Sequence, residues 1–171
     1  HFHGCDNVTV SNCRFYSGDD CVAGFDNVNM TVANCECNTA CSAFRLGGTN
    51  VFITSCRIWG PAKYTFRGAL SDEEKRSGVT NPNSNGKRYN MLSVFTYIAS
   101  FELDIRYQPG NIVMSDCTVE NCDKLLHYNY SGNETWQNNR PLDNIRIENI
   151  KASGLAMPSV IYGDENIKVS A

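Results

Sequence analysis

One short strand-and-turn unit recurs down the chain and limits what it can fold into. Asn7-Val8-Thr9-Val10-Ser11-Asn12-Cys13 returns as Met30-Thr31-Val32-Ala33-Asn34-Cys35, Asn50-Val51-Phe52-Ile53-Thr54-Ser55-Cys56 and Asn111-Ile112-Val113-Met114-Ser115-Asp116-Cys117. Two further copies are Asn144-Ile145-Arg146-Ile147-Glu148-Asn149-Ile150 and Asn166-Ile167-Lys168-Val169-Ser170-Ala171. Cys13 to Cys35 is 22 residues and Cys35 to Cys56 is 21, but Cys56 to Cys117 is 61 and Cys117 to Ile150 is 33. The two long steps therefore hold insertions. A period in the low twenties built on short β-branched strands fits a stacked solenoid, in which each coil buries its apolar face only against its neighbours. Leucine-rich repeats have a similar period but need recurring leucines that are missing here. The expected fold is all-β, a parallel β-helix with coils of about 22 residues.

Asparagine stands just before each strand and, at Asn12, Asn34 and Asn149, near its end. Turns within a coil need left-handed backbone angles, which asparagine tolerates while its amide bonds to nearby backbone. These residues are read as structural. Asn27 departs by one residue from the register of the others, which predicts a small bulge in the second coil.

Nine cysteines would suggest a disulfide framework in a small secreted chain. Cys13, Cys35, Cys56 and Cys117 instead share one position of the repeat, and Cys21 and Cys41 fall close to another. Stacked in this way they behave as small buried hydrophobes. The odd total and the lack of a CxxC motif speak against full pairing and against a zinc site. Such thiols lean towards a reducing, cytoplasmic compartment, while sequons at Asn7, Asn29, Asn129 and Asn133 leave secretion open if a signal peptide precedes the stretch.

An apolar fraction of 42% over 171 residues is enough for one domain. A net charge of -3 offers no basic surface for a phosphate backbone. No apolar run approaches the roughly 20 residues of a membrane-spanning helix. Neither nucleic acid nor a membrane is an expected partner. The chain begins and stops in mid-pattern without polar caps, and a bare coil exposes apolar surface and strand edges. Residues 1–171 are thus expected to be a single domain cut from a longer β-helix, lacking N-terminal coils and open to end-to-end association.

The main departure from the repeat runs from about 68 to 110. Ser71 and Glu74 form a capping box in Ser71-Asp72-Glu73-Glu74-Lys75-Arg76, with acids ahead of bases, so a short helix is expected. Residues 80–86 read as a loop, and the apolar run from Met91 to Tyr107 as one or two returning strands. A second insertion, 128–136, carries aromatics suited either to sugar stacking or to packing within its own loop. Insertions on a solenoid usually emerge on one face and build the binding groove.

Hydrolysis of a glycosidic bond needs paired carboxylates, one to protonate the leaving oxygen and one to activate water or attack the sugar. Ser17-Gly18-Asp19-Asp20-Cys21 supplies a pair. Neighbouring residues of a regular strand point to opposite faces, so Asp19 and Asp20 can share a groove only where the backbone turns, as Gly18 permits. Two adjacent acids should also split their pKa values. The same dipeptide beside glycine is equally an ordinary turn.

The stretch Asn12-Cys13-Arg14-Phe15-Tyr16-Ser17-Gly18-Asp19-Asp20-Cys21-Val22-Ala23 resembles the Asp-Asp-Cys-Ile-Ala motif of the polygalacturonases and related pectin-degrading glycoside hydrolases, which are right-handed parallel β-helices. The resemblance implies a polysaccharide or oligosaccharide substrate containing uronic acids, inverting hydrolysis by a set of three acids, and no metal or other cofactor. Asp19 and Asp20 match two of the three acids. The chain begins too late to include the third, one coil upstream. Stacking Cys41 under Cys21 puts Ala40 beneath Asp20, where the family has the histidine of a His-Gly motif. The family's Arg-Ile-Lys has its nearest counterpart in Tyr64-Thr65-Phe66-Arg67-Gly68, off by one in register.

Arg45, Lys63 and Arg67 are the other charges near this column, able to bind an acidic sugar or to pair with the acids. Asp123 falls in the column of Asp19 three coils on, with Lys124 under Asp20, and His127 offers one further acid or base. His1 and His3 have a spacing that could hold a metal from one strand face, and are read as structural. The competing readings are a catalytically inactive β-helical carbohydrate-binding or structural module and a calcium-dependent polysaccharide lyase. Without the upstream acid the isolated chain is expected to be inactive.

Overall fold

The computed structural model describes residues 1–77, 90–100, 104–128 and 140–159. The expected loop at 80–86, the aromatic residues of 129–136, Phe101, Leu103 and the last copy of the repeat at 166–171 lie outside the described residues. Twelve strands are described: β1 (Phe2–His3), β2 (Asp6–Ser11), β3 (Arg14–Ser17), β4 (Val22–Ala33), β5 (Glu36–Thr39), β6 (Ser42–Thr54), β7 (Arg57–Trp59), β8 (Met91–Tyr97), β9 (Gly110–Ser115), β10 (Thr118–His127), β11 (Asp143–Glu148) and β12 (Lys151–Leu155). Their hydrogen-bonded pairs are all parallel and join them into one curled sheet.

Each repeat contributes to three columns. The first stacks β2, the second halves of β4 and β6, β9 and β11; in it Val8, Met30, Val51, Ile112 and Ile145 lie in register, as do Val10, Val32, Ile53, Met114 and Ile147. The second stacks β3, β5, β7 and the starts of β10 and β12, with Phe15, Cys37, Ile58, Val119 and Ala152 in line. The third stacks β1, the first halves of β4 and β6, β8 and the end of β10, with Val22, Phe44, Phe95 and Leu126 in line. Residues from all three columns form one apolar core. This is the alternation that the repeat encodes, one side chain in and the next out.

Asparagine turns the chain between columns. Asn7, Asn29, Asn50, Asn111 and Asn144 all have positive φ, between 53° and 58° except Asn111 at 52°. Their side-chain amides form a ladder: Asn29 donates to Asn7 at 3.2 Å, Asn50 to Asn29 at 3.0 Å and Asn111 to Asn50 at 2.7 Å. The member of this ladder in the second repeat is Asn29, not Asn27. Asn27 is fully buried, accepts from the Cys5 amide and donates to the Phe2 carbonyl. The expected bulge is present beside it, where the β4–β6 register shifts between Gly24 and Asn27.

All nine cysteines are free thiols, six of them buried. Cys35 and Cys56 donate to carbonyls two residues back, at 3.3 Å each, and so does Cys117 at 3.1 Å. The predicted pairing of Cys21 with Cys41 is corrected: Ser17 lies opposite Thr39 and Val22 opposite Phe44, a constant step of 22. Cys21 is therefore level with Ala43, and Cys41 with Asp19.

The insertions leave the repeat at different points from the single span of about 68–110. Residues 60–77 depart from the repeat after β7, beginning at a cis Gly60-Pro61 bond, and the next described strand, β8, lies in the third column. After β8 and after β10, at the far end of the third column, the next described strands, β9 and β11, belong to the first column. The helix α1 (Asp72–Ser77) has the expected reciprocal cap, Ser71 N–H to Glu74 Oε2 at 2.7 Å and Glu74 N–H to Ser71 Oγ at 3.2 Å.

Candidate active site

Asp19 and Asp20 sit at the corner where the second column turns into the third. Ser17 Oγ accepts the Asp19 N–H at 3.0 Å, and Asp19 Oδ1 accepts the Asp20 N–H at 2.9 Å. The Thr39 hydroxyl donates to the Asp19 carbonyl and accepts the Cys41 N–H at 3.0 Å, tying this corner to the next repeat. Gly18 makes the corner possible. A Cβ there would stand 2.2 Å from the Thr65 carbonyl oxygen, so only glycine lets the 60–90 insertion cross so closely.

The two carboxylates have different surroundings. Asp19 is exposed. The Asp20 side chain is only 10% exposed; its Oδ1 accepts the Ser42 N–H at 2.9 Å, and its Oδ2 lies 3.5 Å from Arg45 Nη1. Burial pushes the Asp20 carboxyl above its ordinary value, and the neighbouring Asp19 charge adds to the rise; the Ser42 amide and Arg45 oppose it.

Two cavities open beside the pair. One, of about 280 Å³, is lined by His1, Asp19, Asp20, Ala23, Arg45 and Ile98 among others. The other, of about 250 Å³, adds Ser42, Phe66, Thr96 and His127. Phe66 comes from the insertion on one side of the third column and Ile98 from the insertion on the other. The third column sets the register beside the cavities: Ser42, Ser93 and Lys124 fall in one line, and Ala23, Arg45, Thr96 and His127 in another three residues further on. Ser42, Ser93 and Thr96 are buried and bond to one another at 2.6–3.1 Å, a closed set of hydroxyls beneath the cavity. Burial and the Lys124 charge hold the His127 imidazole below its ordinary value.

The register corrects two alignments. Ser42, rather than Ala40, follows Asp20 in the next repeat, and no histidine stands there. The segment Tyr64-Thr65-Phe66-Arg67-Gly68 belongs to the insertion over Gly18 and is not a repeat strand; the strand that follows β6 in the third column is β8.

Of the expected substrate-binding residues, Arg45 alone lines both cavities with the acids. Lys63 lies on the second column, its Nζ 5.0 Å from the Tyr16 ring centre and 5.8 Å from that of Tyr64. Arg67 opens a short 3-10 turn, Arg67–Ala69, with its backbone nitrogen 3.6 Å from the point a Gly18 Cβ would occupy. Asp123 lines a separate cavity with Pro61, Asn121 and Gly154. Ser42, Thr96 and Phe66 join the site without having been singled out in the sequence. Ser42 could have been found by applying the 22-residue step to Asp20, but Phe66 lies in an insertion with no repeat to place it.

Ligand atoms of Asp19, Asp20 and Cys41 lie within 4.8 Å of one another. Two carboxylates and a thiol do not match the six to eight oxygens that calcium takes. Comparison with protein families, with curated proteins and with solved structures found no match to this chain.

Proposed function

We propose that the chain is a right-handed parallel β-helix related to the polygalacturonases, and that it hydrolyses uronic-acid-containing glycans with carboxylates. The step of 21 or 22 residues between the first three repeats, the three columns and the asparagine ladder support the fold reading. The observation that carries the chemistry is the contrast within the pair: Asp20 is withdrawn from water on the wall of a cavity, and Asp19 is exposed beside it.

Asp20 is the proton donor. Its surroundings favour the protonated form relative to an ordinary aspartate, as donation to a leaving oxygen requires. The closest oxygens of the pair lie within 4.8 Å, less than the roughly 6.5–9.5 Å between acid and base across a sugar in inverting enzymes. Asp19 and Asp20 therefore act from one side of the bond, Asp19 raising the proton affinity of Asp20. The water-activating carboxylate that the polygalacturonase resemblance implies is the family's third acid, a role that neither Asp19 nor Asp20 fills. Arg45, 26% exposed on the same wall, is placed to meet a uronate carboxylate.

Asp19→Asn and Asp20→Asn in the full-length protein are each expected to lower release of reducing ends from a polyuronate by about 10²–10⁴-fold, with the circular dichroism spectrum retained. Unchanged turnover in both sinks the proposal. Hydrolysis should survive EDTA; an EDTA-sensitive reaction with an unsaturated product would mark a lyase instead. One observation favours a non-catalytic binding module, the Asp20 bond to the Ser42 amide, which is an ordinary way to close a turn. On that reading Asp20→Asn leaves glycan binding intact and there is no hydrolysis to lose.

A further inference from the structure

The outer face of the second column carries a group of side chains that the cavity chemistry does not use. Tyr16 and Trp59 stand edge to face, with ring centres 6.2 Å apart at 71°. Lys63 Nζ lies against the Tyr16 and Tyr64 rings, and the Arg57 guanidinium lies 5.4 Å from the Trp59 ring centre. Tyr16 is 39% exposed, among the most exposed large apolar side chains described. Tyr16 and Trp59 stand two repeats apart, on either side of Asn38 in β5, and two aromatics meeting across a strand on an outward face call for a reason.

Both rings are held by their polar ends. Glu36 accepts from Trp59 Nε1 at 2.9 Å and from the Tyr16 hydroxyl at 3.3 Å, and it pairs with Arg14 at 3.5 Å and Arg57 at 3.4 Å. These donors, the Trp59 bond foremost, hold the Glu36 carboxyl below its ordinary value. A platform fixed in this way loses little side-chain freedom when something lies on it. Its rings meet cations rather than apolar neighbours, a pairing a sugar can exploit: C–H faces stack on the rings, and carboxylates replace water around the ammonium. Glu36 is neutralised by its two arginines, whereas the contacts of Lys63 are ring faces.

We propose that Tyr16, Trp59, Tyr64 and Lys63 form a second carbohydrate-binding surface, distinct from the Asp19–Asp20 cavity, that holds a segment of an acidic polysaccharide. The same insertion that crosses Gly18 supplies Lys63 and Tyr64, so the surface and the cavity lie on either side of one corner. A long polyanion could be retained on the ledge while a different stretch of it reaches the acids. This surface does not depend on the hydrolase reading.

Electrophoresis through native gels containing polygalacturonate, alginate or a neutral β-glucan tests it. The wild-type chain should be retarded by both polyuronates, little by the glucan, and less as salt is added. Tyr16→Ala and Trp59→Ala should each weaken the apparent affinity about tenfold, and Lys63→Gln, a change at an exposed position, should weaken polyuronate binding. Equal retardation of wild type, Tyr16→Ala and Lys63→Gln overturns the inference, as does equal retardation by the neutral glucan. A chain that hydrolyses but is not held through these residues loses this inference alone; one that is held but inert loses the hydrolase reading alone.

Discussion

Asp20 is unusual in stabilising the fold less when charged than when protonated. Its folded-state pKa lies above the unfolded value of about 3.8 because desolvation outweighs the Ser42 amide and Arg45. Between the two values the folded chain binds more protons than the unfolded one, so stability falls as pH rises through that window. Above it the cost of the buried charge is fully present. Asp20→Asn is therefore expected to raise Tm at pH 7, with the gain shrinking as pH drops below the folded pKa. A thermal melt series from pH 7 to pH 3 checks this; a lower Tm for Asp20→Asn at neutral pH would show that the Arg45 pair outweighs desolvation. Such a cost in stability is the trade that the proposed proton-donor role implies. The acid pair itself was legible in the sequence, because Asp-Asp after glycine at a corner of the repeat is visible without coordinates. The partners were not: a two-residue slip in aligning Cys21 with Cys41 hid Ser42, and Phe66 reaches the cavity from a segment outside the period.

Strands and turns carry their own tests. Asn50 sits at φ 58°, donates to Asn29 and accepts from Asn111. Asn50→Ala forfeits both amide bonds and puts alanine, which tolerates left-handed angles less well than asparagine, at this φ, for an expected loss of about 3 kcal/mol in urea unfolding. Asn50→Gly relieves the backbone but not the bonds and should lose about half as much. Equal losses for the two would assign the whole effect to the ladder. At the corner, Gly18→Ala sets a methyl 2.2 Å from the Thr65 carbonyl, so residues 65–67 must move. We expect about 1–3 kcal/mol of destabilisation and a fall in turnover, since Phe66 lines the cavity. The helix cap at Ser71 and Glu74 was legible because both halves of a capping box lie within four residues of sequence. The boundaries of the insertions were not, because the repeat is visible in the first column, whereas the chain breaks off after β7 in the second and Met91–Tyr97 rejoins it in the third.

For the whole molecule, parallel in-register pairing is the property from which the rest follows. It stacks like on like, so thiols fall on thiols, amides on amides, and the polar residues of one repeat on those of the next. That is why nine cysteines need no disulfides and why an acid pair at one corner finds Ser42 and Arg45 one repeat on. The parallel, nearly all-β character was legible because periodicity survives in the sequence; the depth of the cavities was not, since it depends on where insertions fold back. The insertions at both ends of the third column make its outer face a trough with the acids at one end and His127 two repeats beyond Arg45. The direct measurement of the central claim is reducing-end release from polygalacturonate by the full-length protein and by its Asp20→Asn variant, both shown to be folded. The account predicts turnover by the wild type and a loss of at least about 10²-fold in the variant; equal turnover in the two would contradict it.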